Sequence, residues 1–390
     1  MDYNSQPLTF KLRKALRYGR LYGVRRTRVK IESHYHMERR YSKLPELRHD
    51  PGQRHVGLIG CGKFAYAQIA YFLRKNYGDV VYGAMDVDRD RAASLASAYG
   101  LVLHTDDAFA ILDHPAIDTI FVASNHASHA EYAIEALARG KTVHIEKPHV
   151  VTEDQLGRLC AAMESSGGRV ALGFNRPSSR IGREIQAALA SQSGPAMLNW
   201  FVAGHEIPPD HWYFRPEEGG RILGNLCHWT DFVYQMIPAA DRFPIAINPT
   251  RAEKADSDIA VSYTFGDGSI AAITFSAKGH TFEGVMERFA AHRGDVLITM
   301  DDFRDLTIQL REQRRRTRLR HRDHGHERMI CASYELGRGS GTGAGVDYVW
   351  ETGQLFLKTR EELEQSARLT VERFGRAELV HSSERVDDGD

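Results

Sequence analysis

Between His55 and Gly173, short runs of β-branched and aliphatic residues alternate with longer stretches whose apolar positions recur every three or four residues. That rhythm belongs to parallel strands wrapped by helices. It predicts six strands, at His55–Ile59, Val80–Met85, Val102–His104, Thr119–Ala123, Thr142–Glu146 and Arg169–Gly173. Between them Phe64–Asn76, Arg89–Tyr99, Ala127–Arg139 and Glu153–Ser165 carry helical periodicity, with Asp90 or Thr152 as caps and Gly100, Gly140 and Gly167 near the stops. Strand, helix and strand in this order predict a doubly wound nucleotide-binding domain.

After Asn175 the pattern changes. One helix is predicted near Ile181–Ala190 and another near Leu223–Ile237, followed by strands in hairpin rhythm. Ile259–Phe265 and Ser269–Ser276 flank Gly266, Asp267 and Gly268, a tight turn, and Val285–Ala291 and Val296–Met300 extend a mostly antiparallel sheet. A sheet with helices on one face offers the other to a subunit contact. A last helix is expected over Val346–Glu372, and the tail from Ser382 to Asp390 reads as disordered. The fold class is therefore α/β, an N-terminal Rossmann sheet followed by a C-terminal α+β domain on a mostly antiparallel sheet. The divisions are a basic extension (1–52), a Rossmann domain (53–174), a substrate and oligomerisation domain (175–345) and a C-terminal helix and tail (346–390).

Composition narrows the class. No apolar run approaches the roughly 20 residues of a bilayer-spanning helix, and Cys61, Cys160, Cys227 and Cys331 show no paired spacing, so a soluble cytoplasmic protein with reduced thiols is expected. The 51 Lys and Arg balance the 51 Asp and Glu, yet two stretches are basic, Lys11 to Arg48 and Arg311 to Arg328. Each reads as a solvated face or as a site for an anionic partner. No nucleic acid is expected. The first fifty residues are expected to be dispensable for cofactor binding, an arm against a neighbouring subunit or an anionic membrane surface. His321, His324 and His326 fall in the second basic stretch with no strand or helix to hold them, so no metal site is expected.

Candidate chemistry begins at Gly60, Cys61, Gly62, Lys63, Phe64 and Ala65, directly after a predicted strand and before a helix. This is the Gly-x-Gly-x-x-Ala dinucleotide fingerprint: a tight turn at Gly60, close backbone approach to a pyrophosphate at Gly62, and a helix N-terminus facing the anion. Asp86, at the end of the next strand, is placed to bind the adenosine ribose hydroxyls and to repel a 2′-phosphate, which favours NAD, while Arg89 keeps NADP open. Glu146, Lys147 and Pro148 close the fifth strand on the carboxyl edge where such sheets bind ligands. Asn225, His228 and Asp231, spaced i, i+3 and i+6, are predicted to share one helix face toward the nicotinamide.

Gly60 to Ala65, Ser124-Asn125-His126-Ala127-Ser128-His129, Glu146-Lys147-Pro148, Gly173-Phe174-Asn175-Arg176 and the stretch from Ile207 to His228 together resemble the Gfo/Idh/MocA oxidoreductases, the glucose-fructose oxidoreductase and inositol dehydrogenase group. The resemblance implies that Lys147 binds the reacting hydroxyl, Glu146 helps seat the nicotinamide ribose and His228 transfers the proton. It implies a cofactor site of Gly60, Gly62, Lys63, Phe64, Ala65, Asp86, Ser124, Asn125, His129, Glu146, Lys147 and Asn175. Lys147, Arg176, Trp212, Asn225 and His228 would meet substrate, with Asn225 beside Lys147 and His228 in the catalysis. Many members carry an aspartate four residues before the histidine. Gly224 stands there in this chain, and Asn225 supplies a hydrogen bond without charge.

The function so implied is NAD(P)-dependent hydride transfer to or from a secondary hydroxyl of a sugar, cyclitol or nucleotide sugar, by a homo-oligomer, dimer or tetramer. Glycoside cleavage through transient oxidation and a non-catalytic cofactor-binding regulator are the alternatives.

Overall fold

The computed structural model describes residues 6–47, 52–204, 206–251, 257–278 and 284–365. The N-terminal extension is a helical hairpin, α1 (Leu8–Tyr22) and α2 (Val24–Glu38), joined at Gly23. It is docked on the domain that follows rather than projecting from it. Leu21, Thr27, Ser33 and His36 are buried, and the Arg26 guanidinium lies 4.6 Å from the centroids of both the Tyr71 and Phe72 rings.

The first sheet contains β1 (Val56–Ile59), β2 (Val81–Met85), β3 (Leu103–Thr105), β4 (Thr119–Val122), β5 (Thr142–Ile145) and β6 (Val170–Leu172). Their order is β3-β2-β1-β4-β5-β6 and every pair is parallel. Strands β1 and β4 are buried along their whole length, as strands covered on both faces must be. The covering helices are α3 (Tyr71–Tyr77), α4 (Arg89–Tyr99), α5 (Phe109–Leu112), α6 (His129–Ala138) and α7 (Glu153–Ser166). The cap of α4 is Asp88, whose carboxylate accepts from Asp90 N–H, not Asp90 itself; Thr152 caps α7 as its position predicts.

Helix α8 (Arg180–Ala190) leads into a second, eight-stranded sheet: β7 (Ala196–Ala203), β8 (Ala246–Arg251), β9 (Ile259–Thr264), β10 (Ile270–Ser276), β11 (Met286–Arg293), β12 (Val296–Asp301), β13 (Asp305–Leu310) and β14 (Gln313–Arg318). All its pairs are antiparallel except β7 with β10. Strands β11 and β12 alternate strictly between buried and exposed. Their inner face packs under α8 and α9 (Cys227–Met236), while Met197, Phe201, Ile270 and Leu297 remain exposed on other positions of the sheet.

Two elements refine the predicted divisions. Helix α10 (His326–Gly337) returns to the first sheet: Met329, Ile330 and Tyr334 join the core formed by β1, α3 and α4. Helix α11 (Val346–Gln365) packs against α7 and α9, so the C-terminal segment bridges the two sheets. The predicted continuation past residue 365 and the tail lie outside the described residues. No helix among the described residues is long and apolar enough to cross a membrane.

Candidate functional site

Gly60 stands where no side chain fits. Its φ is +92°, and a Cβ there would lie 2.5 Å from the Ala123 carbonyl. Gly62 is the opposite case, since a Cβ there meets nothing within 4 Å. The backbone is thus pinned at the turn and open at the next glycine, the cradle a pyrophosphate requires. The helix that follows opens with a π-turn over Ala65–Ala70, a feature that concentrates at functional sites.

Asp86, at the end of β2, holds backbone on both sides. One carboxylate oxygen accepts the Cys61 N–H at 2.8 Å and the other accepts the Asp88 N–H at 2.9 Å, so the residue shapes the fingerprint loop. From the other side α2 grips the same loop. His36, 1% exposed, bonds the Cys61 carbonyl through Nε2 at 2.7 Å and Ser94 Oγ through Nδ1 at 2.9 Å, and stacks on Tyr66 at 4.5 Å. A carbonyl only accepts, so Nε2 carries the proton and Nδ1 takes the serine hydroxyl. Burial holds the ring's pKa below its ordinary value, which keeps it neutral in that tautomer. Because C=O and N–H point oppositely across a planar trans peptide, anchoring the Cys61 carbonyl aims the Gly62 N–H away from His36. The hairpin is therefore part of the loop's support, and the expectation that it is dispensable for cofactor binding does not fit this contact. His36→Ala should weaken dinucleotide affinity by on the order of tenfold, with partial recovery in His36→Gln. Isothermal titration with an unchanged dissociation constant for His36→Ala would contradict the role.

At the carboxyl edge of β5, Glu146 is buried and bonded to His144 Nε2 at 3.1 Å, with His144 held in turn by Ser333 of α10. The partly buried Lys147 reaches across to the second domain, where its Nζ donates to the Gly224 carbonyl at 2.6 Å. Burial lowers the pKa of this ammonium. Gly224 belongs to a second π-turn, Ile222–Leu226, immediately before α9. A Cβ at Gly224 would stand 2.1 Å from Tyr213 Oη and 2.5 Å from His126 Cε1. That crowding leaves no room for a side chain at position 224.

His126 is therefore a site residue that sequence reasoning passed over. It is buried, its Nδ1 donates to the Glu218 carbonyl at 2.8 Å, and Trp212 and Tyr213 meet it edge-on at 5.0 and 4.7 Å. Burial, then the Lys147 charge, push its pKa well down. The Glu218 carboxylate completes the junction, accepting from Asn125 Nδ2 at 2.7 Å and from the Ala127 N–H at 3.1 Å. Ser124 is bonded to Ser128, hydroxyl to hydroxyl, at 2.7 Å.

Two residues predicted to touch cofactor are engaged otherwise. His129 is buried with both ring nitrogens on carbonyls, Pro148 at 2.8 Å and Ser124 at 3.1 Å, so it fixes the Glu-Lys-Pro strand end instead of presenting a free nitrogen. Asn175 is buried, and its amide donates to the His324 carbonyl at 2.6 Å. Arg176, predicted to meet substrate, bonds Glu287 at 2.5 Å and lies 4.6 Å over the Trp229 ring, which itself donates to Glu287 at 2.7 Å. Burial alone would raise the Glu287 carboxyl, but Arg176 and His324 hold it well below the usual range. Trp229 joins this ion pair into a platform beside His228, the two rings 5.9 Å apart.

Beside that platform the Nδ1 of His228 and the Oδ1 of Asn225 are both shielded from solvent and lack a protein partner. Burial, then the charges of Arg176 and Lys147, drive the imidazole pKa well below 6.5, so the ring is a neutral base. Asp231 does not share this face. It is fully buried and takes Tyr348 Oη at 2.5 Å and Gln235 Nε2 at 2.8 Å. The π-turn puts Asn225 out of α-helical phase with His228, while Asp231, three residues on within α9, is turned by about 60° from His228 to the side of Tyr348. His324 and His326 are held, contrary to expectation: His324 lies 3.2 Å from Glu287, and His326 starts α10 with its ring 5.6 Å from that of Phe64. Among the described residues no cluster of His, Cys, Asp or Glu is arranged to hold a metal. Lys63 is exposed at the loop mouth.

Residues 54–174 match the oxidoreductase family described as having an NAD-binding Rossmann fold. Inositol 2-dehydrogenase of Ralstonia nicotianae is 30% identical over 151 residues, 37% of this chain and 44% of that enzyme, so the matched stretch spans less than half of the relative. An uncharacterized oxidoreductase of Bacillus subtilis, YrbE, is 27% identical over 230 residues, covering 57% of this chain and 67% of that one. Among solved structures, levoglucosan dehydrogenase in complex with NADH and levoglucosan superimposes with a TM-score of 0.68 at 15% identity, covering 80% of this chain and 98% of that one. A dehydrogenase of Chromobacterium violaceum gives 0.68 at 17%, covering 87% and 100%. At these identities the two structures speak for the fold alone.

Proposed function

We propose, from the match of residues 54–174 to the Gfo/Idh/MocA oxidoreductase family, that this chain transfers hydride between NAD and a secondary hydroxyl of a cyclitol or sugar. The observation that carries the reading is the pairing of Lys147, anchored on the Gly224 carbonyl, with a neutral His228 whose Nδ1 has no protein partner. The residues fit the cofactor: Gly62 leaves room for a pyrophosphate, and Asp86 sits at the ribose end of β2. Bound there, the nicotinamide would supply the hydride acceptor. The chain's own residues do the rest. Lys147 holds the substrate oxygen and stabilises negative charge on it as its proton leaves. His228, kept neutral by burial and by the charges of Arg176 and Lys147, takes that proton. Asn225 offers its carbonyl oxygen to a substrate hydroxyl. The substrate class follows the relatives, named for inositol and levoglucosan. A panel of cyclitols and sugars with NAD, read by reduced-cofactor absorbance, tests it.

Cofactor choice follows from Asp86. A carboxylate already accepting two backbone N–H bonds is held in place, where it meets ribose hydroxyls and repels a 2′-phosphate. NAD should bind more tightly than NADP, and Asp86→Ala should narrow the difference. Equal dissociation constants in the unsubstituted protein would overturn this preference.

A further inference from the structure

The inner side of the N-terminal hairpin is occupied by the fingerprint loop and α3; the outer side of α1 carries a different pattern. Leu8, Leu12 and Leu16 are 71%, 56% and 69% exposed, and Val24, at the start of α2, is 83% exposed. Spaced i, i+4 and i+8, the three leucines fall within an arc of about 80° on the helix. Arg13 and Arg20 are exposed along one flank of that arc, and Lys11 stands on the other. Between positions 6 and 31 there are nine Lys or Arg and no Asp or Glu.

A single exposed leucine is ordinary. A row of them on successive turns, edged on both sides by cations, is the composition of a helix that lies in the plane of a membrane interface. The charge separates this occupant from others. A second copy of the same face would bring two cationic surfaces together, and a nucleic acid would use the cations but leave the leucines in water. An anionic bilayer satisfies both halves: leucines at the acyl boundary, Lys11, Arg13 and Arg20 on headgroup phosphates. We propose that the outer face of α1 docks this protein on an anionic lipid bilayer. Because α2 ends with His36 on the Cys61 carbonyl, docking holds the cofactor loop one helical hairpin away from the lipid surface.

The test is co-sedimentation of the full chain with vesicles of mixed phosphatidylglycerol and phosphatidylcholine, compared with phosphatidylcholine alone. Binding to the anionic vesicles is expected, falling with salt and weaker by on the order of tenfold or more on the zwitterionic ones. The combined Leu8→Ser, Leu12→Ser, Leu16→Ser variant and the Arg13→Glu, Arg20→Glu variant should each lower it by on the order of tenfold with NAD affinity unchanged. The charge variant keeps the test valid should the serine variant fail to fold. Absence of binding to anionic vesicles at low salt, or binding that both variants retain, would overturn the proposal. So would light scattering in which the serine variant dissociates an oligomer while vesicles are never bound, since the stripe would then be a contact between copies. None of these readouts depends on turnover, so failure here is distinct from failure of the oxidoreductase reading.

Discussion

Replacing His228 by alanine is expected to lower kcat by about 10²- to 10⁴-fold, the range general acid-base assistance contributes, and to leave NAD affinity nearly unchanged. The separation follows from position. His228 lies on α9 of the second domain, away from the Gly60–Ala65 loop, and sits beside the Trp229, Arg176 and Glu287 cluster. The pH dependence has a definite sign. Burial and the Arg176 and Lys147 charges lower the imidazole pKa well below 6.5, so the ring is deprotonated and competent as a base throughout the neutral range. In the oxidative direction kcat/KM should fall only at pH well below the ordinary imidazole range, and that acidic limb should be absent from His228→Ala. Steady-state kinetics across pH decide this, and full activity with an unaltered profile would return His228 to a merely structural role.

Lys147→Ala should be costly in both constants, lowering kcat by on the order of 10²- to 10³-fold, as loss of a donor to a developing oxyanion does, and raising substrate KM as well. The side chain has two jobs. Its Nζ bonds the Gly224 carbonyl at 2.6 Å, which ties the Glu-Lys-Pro strand end to the π-turn carrying Asn225 and leading into His228. Without it a carbonyl of the π-turn loses its partner and the two halves of the site lose a direct link. Lys147→Arg should not restore activity, because a planar guanidinium cannot take the place of a compact ammonium between a carbonyl and a substrate oxygen. Near-normal kcat/KM in Lys147→Ala would contradict both jobs.

Legibility in the sequence followed burial only in part: β7 alternates buried and exposed residues yet escaped the pattern reading, as did β8 and β13. The six strands of the first sheet were readable to within a residue or two because each, the short Leu-His-Thr strand β3 excepted, is an apolar run closed by a helix start or a glycine, and the β9–β10 hairpin was readable from Gly266-Asp267-Gly268. Strand β14 was not, since Gln313–Arg318 is an edge strand with five of six residues exposed, and a strand without a buried face has no alternation to detect. The hairpin was hidden for a related reason: the regular apolar spacing of α1 faces outward, and its basic composition reads as a solvated arm. In the site, the fingerprint, Lys147 and His228 are local motifs. His36 and Glu287 are not, because their partners lie 25 and 111 residues away and no short spacing encodes them. Asp231 was misplaced because residues three apart on a helix step round by about 60°, and its partner Tyr348 lies 117 residues away.

The most direct measurement uses the best cyclitol or sugar substrate deuterated at its carbinol carbon, incubated with unlabelled NAD and the full chain, with the reduced cofactor examined by mass spectrometry. Hydride transfer predicts NADH carrying one deuterium, formed in step with ketone and not formed at a comparable rate by His228→Ala. Unlabelled NADH, or no NADH from any cyclitol or sugar by a protein that demonstrably binds NAD, would contradict the account.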